Sequence, residues 1–220
     1  MIKGVIFDMD GLLLDTEILY QKAWFEYGDK NGYDINEELL TQLRGQNAEN
    51  IERITKGVLG DNFEFPKVRD YCFAYLYKCL GEGKITVKKG AIELLKYLKE
   101  NGYKIALATS SGEDIATDFL KANSLLEFFD EKAFGGMVKN SKPAPDIFLL
   151  AAKLLGEKPE DCLVLEDSPN GIRAGAAAGC TVIMVPDMDA PTKELVDLTA
   201  YVCEDLRGVI YYLAEQKLAN

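Results

Sequence analysis

Residues 5–17 read VIFDMDGLLLDTE, an apolar run that ends in two carboxylates one residue apart, Asp8 and Asp10, with Gly11 directly after them. Residues 2–8 have the continuous apolar character of a strand buried on both faces, the kind found in parallel sheets. A charge at the edge of such a core is costly unless it is compensated. The stretch therefore predicts a sheet strand that ends at a polar rim, with something positive there to offset Asp8 and Asp10.

Outward from that strand the pattern changes. Residues 16–80 show helical periodicity and no convincing strand. TEILYQKAWFEYGDKNG offers Thr16 as an N-cap and stops at Asn31–Gly32. Further helical stretches follow at 36–43, 47–59 and 66–80. Tyr71, Phe73, Tyr75 and Tyr77 are assigned to the core of this small bundle rather than to a stacking platform. From Ile85 strands and helices alternate: helix 90–101, strand YKIALATSS, helix 112–123, a short strand near KAFGG, helix 145–155, strand CLVLED, helix 168–178 opened by Ser168–Pro169, strand CTVIMVP, and a last helix near 205–217. Alternation of this kind implies a parallel sheet covered on both faces. The fold expected is thus α/β, a Rossmann-like parallel sheet with helices on both faces. A small all-helical cap of residues 16–84 is inserted after the first strand, which leaves 1–15 and 85–220 as a discontinuous core.

Composition narrows the chemistry. The formal net charge of −11 argues against a nucleic-acid partner, which needs a basic face. No apolar run approaches the ~20 residues of a membrane span, and the acidic end of the first apolar stretch is unlike a signal peptide, so a cytoplasmic chain is expected. The five cysteines form no C-x-x-C pair and read as buried free thiols. There is no histidine, which removes Ser-His-Asp and Cys-His catalysis and the His-rich zinc sites. P-loop and G-x-G-x-x-G patterns are absent too. An enzyme built from this chain must rely on carboxylates, hydroxyls, lysine and a metal.

Ligands of open α/β sheets bind beyond the carboxyl ends of the strands. Those ends carry Asp8 and Asp10, then Thr109, Ser110 and Ser111, then Lys142 in SKPAPD, then Glu166 and Asp167. Each has an ordinary structural explanation, as a turn, a helix cap or a solvated lysine. Four such corners at successive strand ends point instead to phosphoryl transfer. A hard cation such as Mg²⁺ would relieve the carboxylates, Lys142 and Thr109 would hold phosphate oxygens, and the Ser110–Ser111–Gly112 turn would present helix N–H groups.

FDMDGLLLDTE, ALATSS, KPAPDIF and VLEDSPNGIRAGAAAG together resemble, in order and across nearly the whole chain, the four motifs of the haloacid dehalogenase superfamily. The EDSPNGIRAG form is similar to that of β-phosphoglucomutase-like phosphatases. Gly171, Gly175 and Gly179 of VLEDSPNGIRAGAAAG fall on one helix face and read as close helix–sheet packing. The resemblance implies a Mg²⁺-dependent phosphatase acting on a small phosphorylated metabolite, a sugar phosphate by preference, through an aspartyl-phosphate. By that resemblance Asp8 is the nucleophile and Asp10 the general acid and base. Thr109, Ser110 and Lys142 bind phosphate. The metal lies with Asp8, the Asp10 backbone carbonyl and Asp167, and Glu166 acts through water or by orienting Lys142. Arg44, Gln46 and Tyr20 of the cap are candidates for substrate selection, the alternative for Arg44 and Gln46 being a plain polar turn. A sugar-phosphate mutase of the β-phosphoglucomutase type is the main competing reading, although mutases of that type carry a histidine where Tyr20 stands and an arginine near Ala48. A phospho-accepting signalling domain is the second, disfavoured by the cap and by Asp10. The partner expected is a small metabolite, with no nucleic acid or membrane, and the chain is expected to be a monomer or a weak homodimer.

Overall fold

The computed structural model describes residues 1–43 and 48–218. Its elements run β1 (Gly4–Phe7), α1 (Glu17–Asn31), α2 (Glu37–Leu43), α3 (Ala48–Leu59), α4 (Phe65–Gly81), α5 (Ala91–Glu100), β2 (Lys104–Thr109), α6 (Glu113–Ala122), β3 (Glu131–Phe134), α7 (Asp146–Leu155), β4 (Cys162–Glu166), α8 (Pro169–Ala177), β5 (Thr181–Met184), α9 (Lys193–Leu198), β6 (Tyr201–Val202) and α10 (Arg207–Leu218). The chain divides into two compact units, residues 1–14 with 87–220, and residues 15–86.

The first unit holds a six-stranded sheet, all parallel, in the order β3-β2-β1-β4-β5-β6. Order reverses between β1 and β4, so the first strand lies at the centre with β2 on one side and β4 on the other. Phe7 pairs in register with Leu107 and with Leu165. Ile6, Ala106, Ala108, Val164 and Val182 share one buried cluster with Phe148 and Ala151 of α7 and Ile172 and Ala174 of α8. Their strand neighbours Val5, Phe7, Ile105, Leu107, Leu163 and Leu165 are equally buried, and two-residue alternation turns them to the opposite face. Helices on both faces are the physical reason these strands read as unbroken apolar runs.

The last quarter of the chain departs from expectation. α9 and the edge strand β6 form where the sequence reading has only loop. Thr192 caps α9, its Oγ1 accepting from the Leu195 N–H at 3.4 Å. β6 is two residues long, too short to show alternation. Among the three glycines of VLEDSPNGIRAGAAAG, Gly175 does pack closely on the sheet, where a Cβ would lie 2.9 Å from Val182. Gly179 does not: it lies past the end of α8 at φ +80°, with nothing near its Cβ position, and serves the turn into β5.

In the second unit, α1 to α4 bury Ala23, Tyr27, Phe63, Val68 and Cys72 together, with Trp24, Tyr71 and Tyr75 packed against them. Leu39, Leu40 and Leu43 of α2 gather a smaller cluster with Ile51 and Ile54 of α3. The aromatic row of α4 is only partly core. Its fully buried stripe is Val68, Cys72, Leu76 and Cys79, whereas Tyr77 is exposed. Residues 71, 73, 75 and 77 recur every two positions, which spreads them around a helix of 3.6 residues per turn. The cysteines are free, four buried and Cys180 half-buried. Burial pushes the thiols of Cys72 and Cys180 up to about 12 and those of Cys162 and Cys203 up to about 11, so little thiolate forms near neutrality. Among the described residues no helix is long and apolar enough to cross a membrane.

Candidate active site

Asp8 leaves the central strand with its N–H donating to the Leu165 carbonyl at 3.1 Å, which fixes it between the ends of β2 and β4. Lys142, from the loop between β3 and α7, reaches back to it. Its Nζ donates to Asp8 Oδ1 at 2.5 Å, to Glu166 Oε1 at 2.7 Å and to the Ala108 carbonyl at 3.2 Å. An ammonium has three N–H groups, and all three are used. The Phe148 ring lies 4.9 Å from the same nitrogen and adds a cation–π contact.

Glu166 ends β4 and is fully buried. Its second oxygen accepts from the Asp167 N–H, the Ser168 N–H and the Ser168 hydroxyl, each at 3.0 Å. Ser168 Oγ in turn accepts from the Gly171 N–H at 3.1 Å and so opens α8 as its N-cap. The same turn explains Gly171. A Cβ there would lie 1.8 Å from the Glu166 carboxylate. Glu166 is thus committed to Lys142 and to the turn.

Asp167 projects beside Asp8. One carboxylate oxygen from each of Asp8, Glu166 and Asp167 lies within 4.8 Å of the others. Gly11, at φ +78°, lies beside this group, and a Cβ on it would lie 2.3 Å from Asp167 Oδ2. Asp10 turns another way. Its Oδ2 accepts from the Ser111 hydroxyl at 2.8 Å and from the Thr109 hydroxyl at 3.4 Å, and Thr109 Oγ1 accepts from the Ser111 N–H at 3.0 Å. Ser110 is exposed at the mouth of this turn, which leads through Gly112 into α6. The sequence gives Ser111 a place in the turn that presents helix N–H groups, but no part for its hydroxyl, which here bonds Asp10. Its only sequence signal was its place between two other small polar residues.

The electrostatics follow from the count. Four carboxylates (Asp8, Asp10, Glu166 and Asp167) gather here, and Lys142 pairs with two of them, Asp8 and Glu166. Burial pushes the Asp8 carboxyl up, Lys142 pulls it down, and Glu166 and Asp10 push it up again, leaving it at about 7. For Lys142 burial acts downward, but Asp8 and Glu166 outweigh it and hold the ammonium above its usual range. Hard oxygen donors in surplus negative charge, with a glycine keeping the space beside Asp167 open, fit a divalent cation such as Mg²⁺.

Of the helical-unit candidates, Tyr20 is half-buried and packs edge-on to Phe73, with ring centroids 6.5 Å apart. Arg44 and Gln46 lie outside the described residues.

Residues 2–179 match the sequence profile of haloacid dehalogenase-like hydrolases. The chain is 34% identical over 207 residues to hexitol phosphatase A of Escherichia coli (strain K12), covering 93% of each. It is 34% identical over 184 residues to a phosphorylated carbohydrates phosphatase of Thermotoga maritima, covering 80% of this chain and 82% of that one. Its fold superposes on the crystal structure of β-phosphoglucomutase from Clostridium difficile with a TM-score of 0.81 and 27% identity, over the full length of both chains. The chain belongs to the haloacid dehalogenase-like hydrolases, on their branch of β-phosphoglucomutase-like phosphatases.

Proposed function

We infer that this phosphatase hydrolyses a small sugar phosphate or sugar-alcohol phosphate, with Mg²⁺ bound and Asp8 as the nucleophile. One observation carries the reading: Asp8 stands at the end of the central strand, held by Lys142 and flanked by Asp167 and Glu166, with Asp10 hydrogen-bonded to one side. The likeness to a hexitol phosphatase and to a phosphorylated carbohydrates phosphatase supports the substrate class.

Asp8 and Asp167, with the Asp10 backbone carbonyl, would hold the ion, and Glu166 acts by orienting Lys142. When bound, Mg²⁺ supplies the positive charge that lets a phosphate dianion approach an ionised Asp8. Asp8 forms a bond to phosphorus as the bond from phosphorus to the sugar oxygen breaks. Asp10, protonated, gives its proton to that leaving oxygen. Asp10 then takes a proton from water as the water oxygen bonds phosphorus and the Asp8–phosphorus bond breaks, releasing inorganic phosphate. Lys142 and Thr109 hold phosphate oxygens, Lys142 by turning the N–H now on the Ala108 carbonyl, its longest bond. The Ser111 and Thr109 hydroxyls fix where Asp10 waits.

The test is phosphate release from a panel of sugar, sugar-alcohol and nucleoside monophosphates, with and without Mg²⁺. Turnover that needs Mg²⁺ and is lost in Asp8→Asn is expected. No release from any monoester would overturn the reading, and isomerisation of a sugar phosphate dependent on a bisphosphate would replace it with the mutase.

A further inference from the structure

Among the described residues, one buried side-chain oxygen or nitrogen has no hydrogen-bond partner, and it is Asp187 Oδ2. A carboxylate oxygen cut off from water and from donors is unfavourable, and in folded proteins such an atom calls for a water or ion to satisfy it. Asp187 lies in the loop that follows β5. That loop starts alongside the end of β4, where the Val185 N–H donates to the Glu166 carbonyl at 2.8 Å. The other Asp187 oxygen is fixed by Lys88, whose Nζ stands 2.6 Å away. Lys88 is itself anchored, its N–H donating to the Leu13 carbonyl at 2.9 Å. The side chain is therefore held in one orientation, with its second oxygen aimed away from Lys88.

Gly11 shows where that oxygen points. The place a Cβ on Gly11 would occupy lies 2.3 Å from Asp167 Oδ2 and 3.2 Å from Asp187 Oδ2. The two oxygens thus lie near one point, no further apart than those distances combined, and a residue without a side chain keeps the point open. Both are acceptors, so neither satisfies the other. What fits between them is a donor, and a water molecule bound to a cation is a strong one, because the cation makes its protons more acidic. Mg²⁺ keeps several of its waters and demands near-octahedral geometry, so groups that orient those waters contribute to its binding.

We propose that Asp187 is a positioning residue for the metal: its Oδ2 accepts a hydrogen bond from a water on the Mg²⁺ held by Asp8 and Asp167, and Lys88 locks it in that attitude. This rests on the Mg²⁺ reading above and adds a residue from the fifth strand to a site otherwise drawn from four. Lys88 also neutralises the charge of Asp187, so the rim gains an acceptor without becoming more negative.

Calorimetric titration of the metal-free full chain with Mg²⁺, beside metal-free melting curves, tests this without reference to turnover. Asp187→Asn is expected to weaken Mg²⁺ binding by about 10- to 100-fold, the range seen when outer-shell partners are removed. Lys88→Met, which releases Asp187 from the orientation that aims its Oδ2 at the metal, is expected to weaken Mg²⁺ binding by a few-fold. If Asp187 serves only as the ion-pair partner of Lys88, both variants melt lower and bind Mg²⁺ within twofold of wild type, and the proposal fails. Should Asp187→Asn not fold, Lys88→Met decides alone, with unchanged or tighter binding counting against. Absence of Mg²⁺ binding by the wild type would sink the metal reading and this proposal together, whereas normal wild-type binding left intact in Asp187→Asn would sink the proposal only.

Discussion

Two acidic clusters of the sheet-bearing unit solve the same problem in opposite ways. At Asp205, just before α10, cations are in surplus. Arg207 donates through Nη2 at 2.7 Å, through Nε at 3.0 Å and through its backbone N–H at 3.0 Å, and Lys89 lies at 3.1 Å. The Arg207 guanidinium chiefly, against a smaller effect of burial, holds the Asp205 carboxyl well below the usual carboxylate range. At Asp8 burial pushes the carboxyl up to about 7 against the pull of Lys142, with the like charges of Glu166 and Asp10 adding to the rise. One cluster is complete in itself and fastens a helix. The other gathers four carboxylates around Lys142 at a buried rim, a donor set that suits a further cation. The contrast separates a structural ion pair from a functional site more sharply than acidity or burial alone.

Removing the proposed nucleophile should have the largest effect. Asp8→Asn is expected to lower phosphate release at least about 10³-fold while the fold stays intact, checked by steady-state rates beside circular dichroism. Asp10→Asn should cost about 10²- to 10⁴-fold, with metal binding retained, because its side chain serves proton transfer and not the ion. A methyl group pressed on Glu166 comes next. Gly171→Ala is expected to destabilise the chain by about 1–3 kcal/mol in urea melts. It should also slow turnover, since the Glu166 carboxylate would have to leave Lys142.

The smallest effect belongs to the complete cluster. Asp205→Asn should cost about 1 kcal/mol near neutral pH and leave turnover unchanged. The sign of its pH dependence is fixed by the depressed carboxyl. Its stabilisation is present above the unfolded-state value of about 4 and is lost as pH falls through the lower folded-state value. Denaturant melts of wild type and variant should therefore converge in strong acid. A difference that persisted there would mean the Asp205 pair does not work through charge.

Much of the site was legible because each corner carries a local signature at a strand end. Asp8 and Asp10 break an apolar run, Thr109 ends another, and Glu166–Asp167–Ser168–Pro169 joins a strand to a helix cap. The bond from Ser111 to Asp10 was not legible, since it depends on β2 lying directly beside β1 and on how the turn after Thr109 folds. Asp187 was less so. Nothing local marks it, and its meaning arises only once β5 is beside β4 and Gly11 leaves space open. α9 and β6 escaped notice for a simpler reason, being too short to express a period. The aromatic row of α4 misled because residue type suggested core, whereas helical spacing gave the buried stripe to Val68, Cys72, Leu76 and Cys79.

The measurement that bears most directly on the central claim is an acid quench during turnover with radiolabelled substrate, followed by digestion and location of the protein-bound label. Phosphoryl label on the peptide that contains Asp8, labile to base and absent from Asp8→Asn, is the result expected. Steady turnover with no label on the protein at any quench time, or label carried by another residue, would contradict the account.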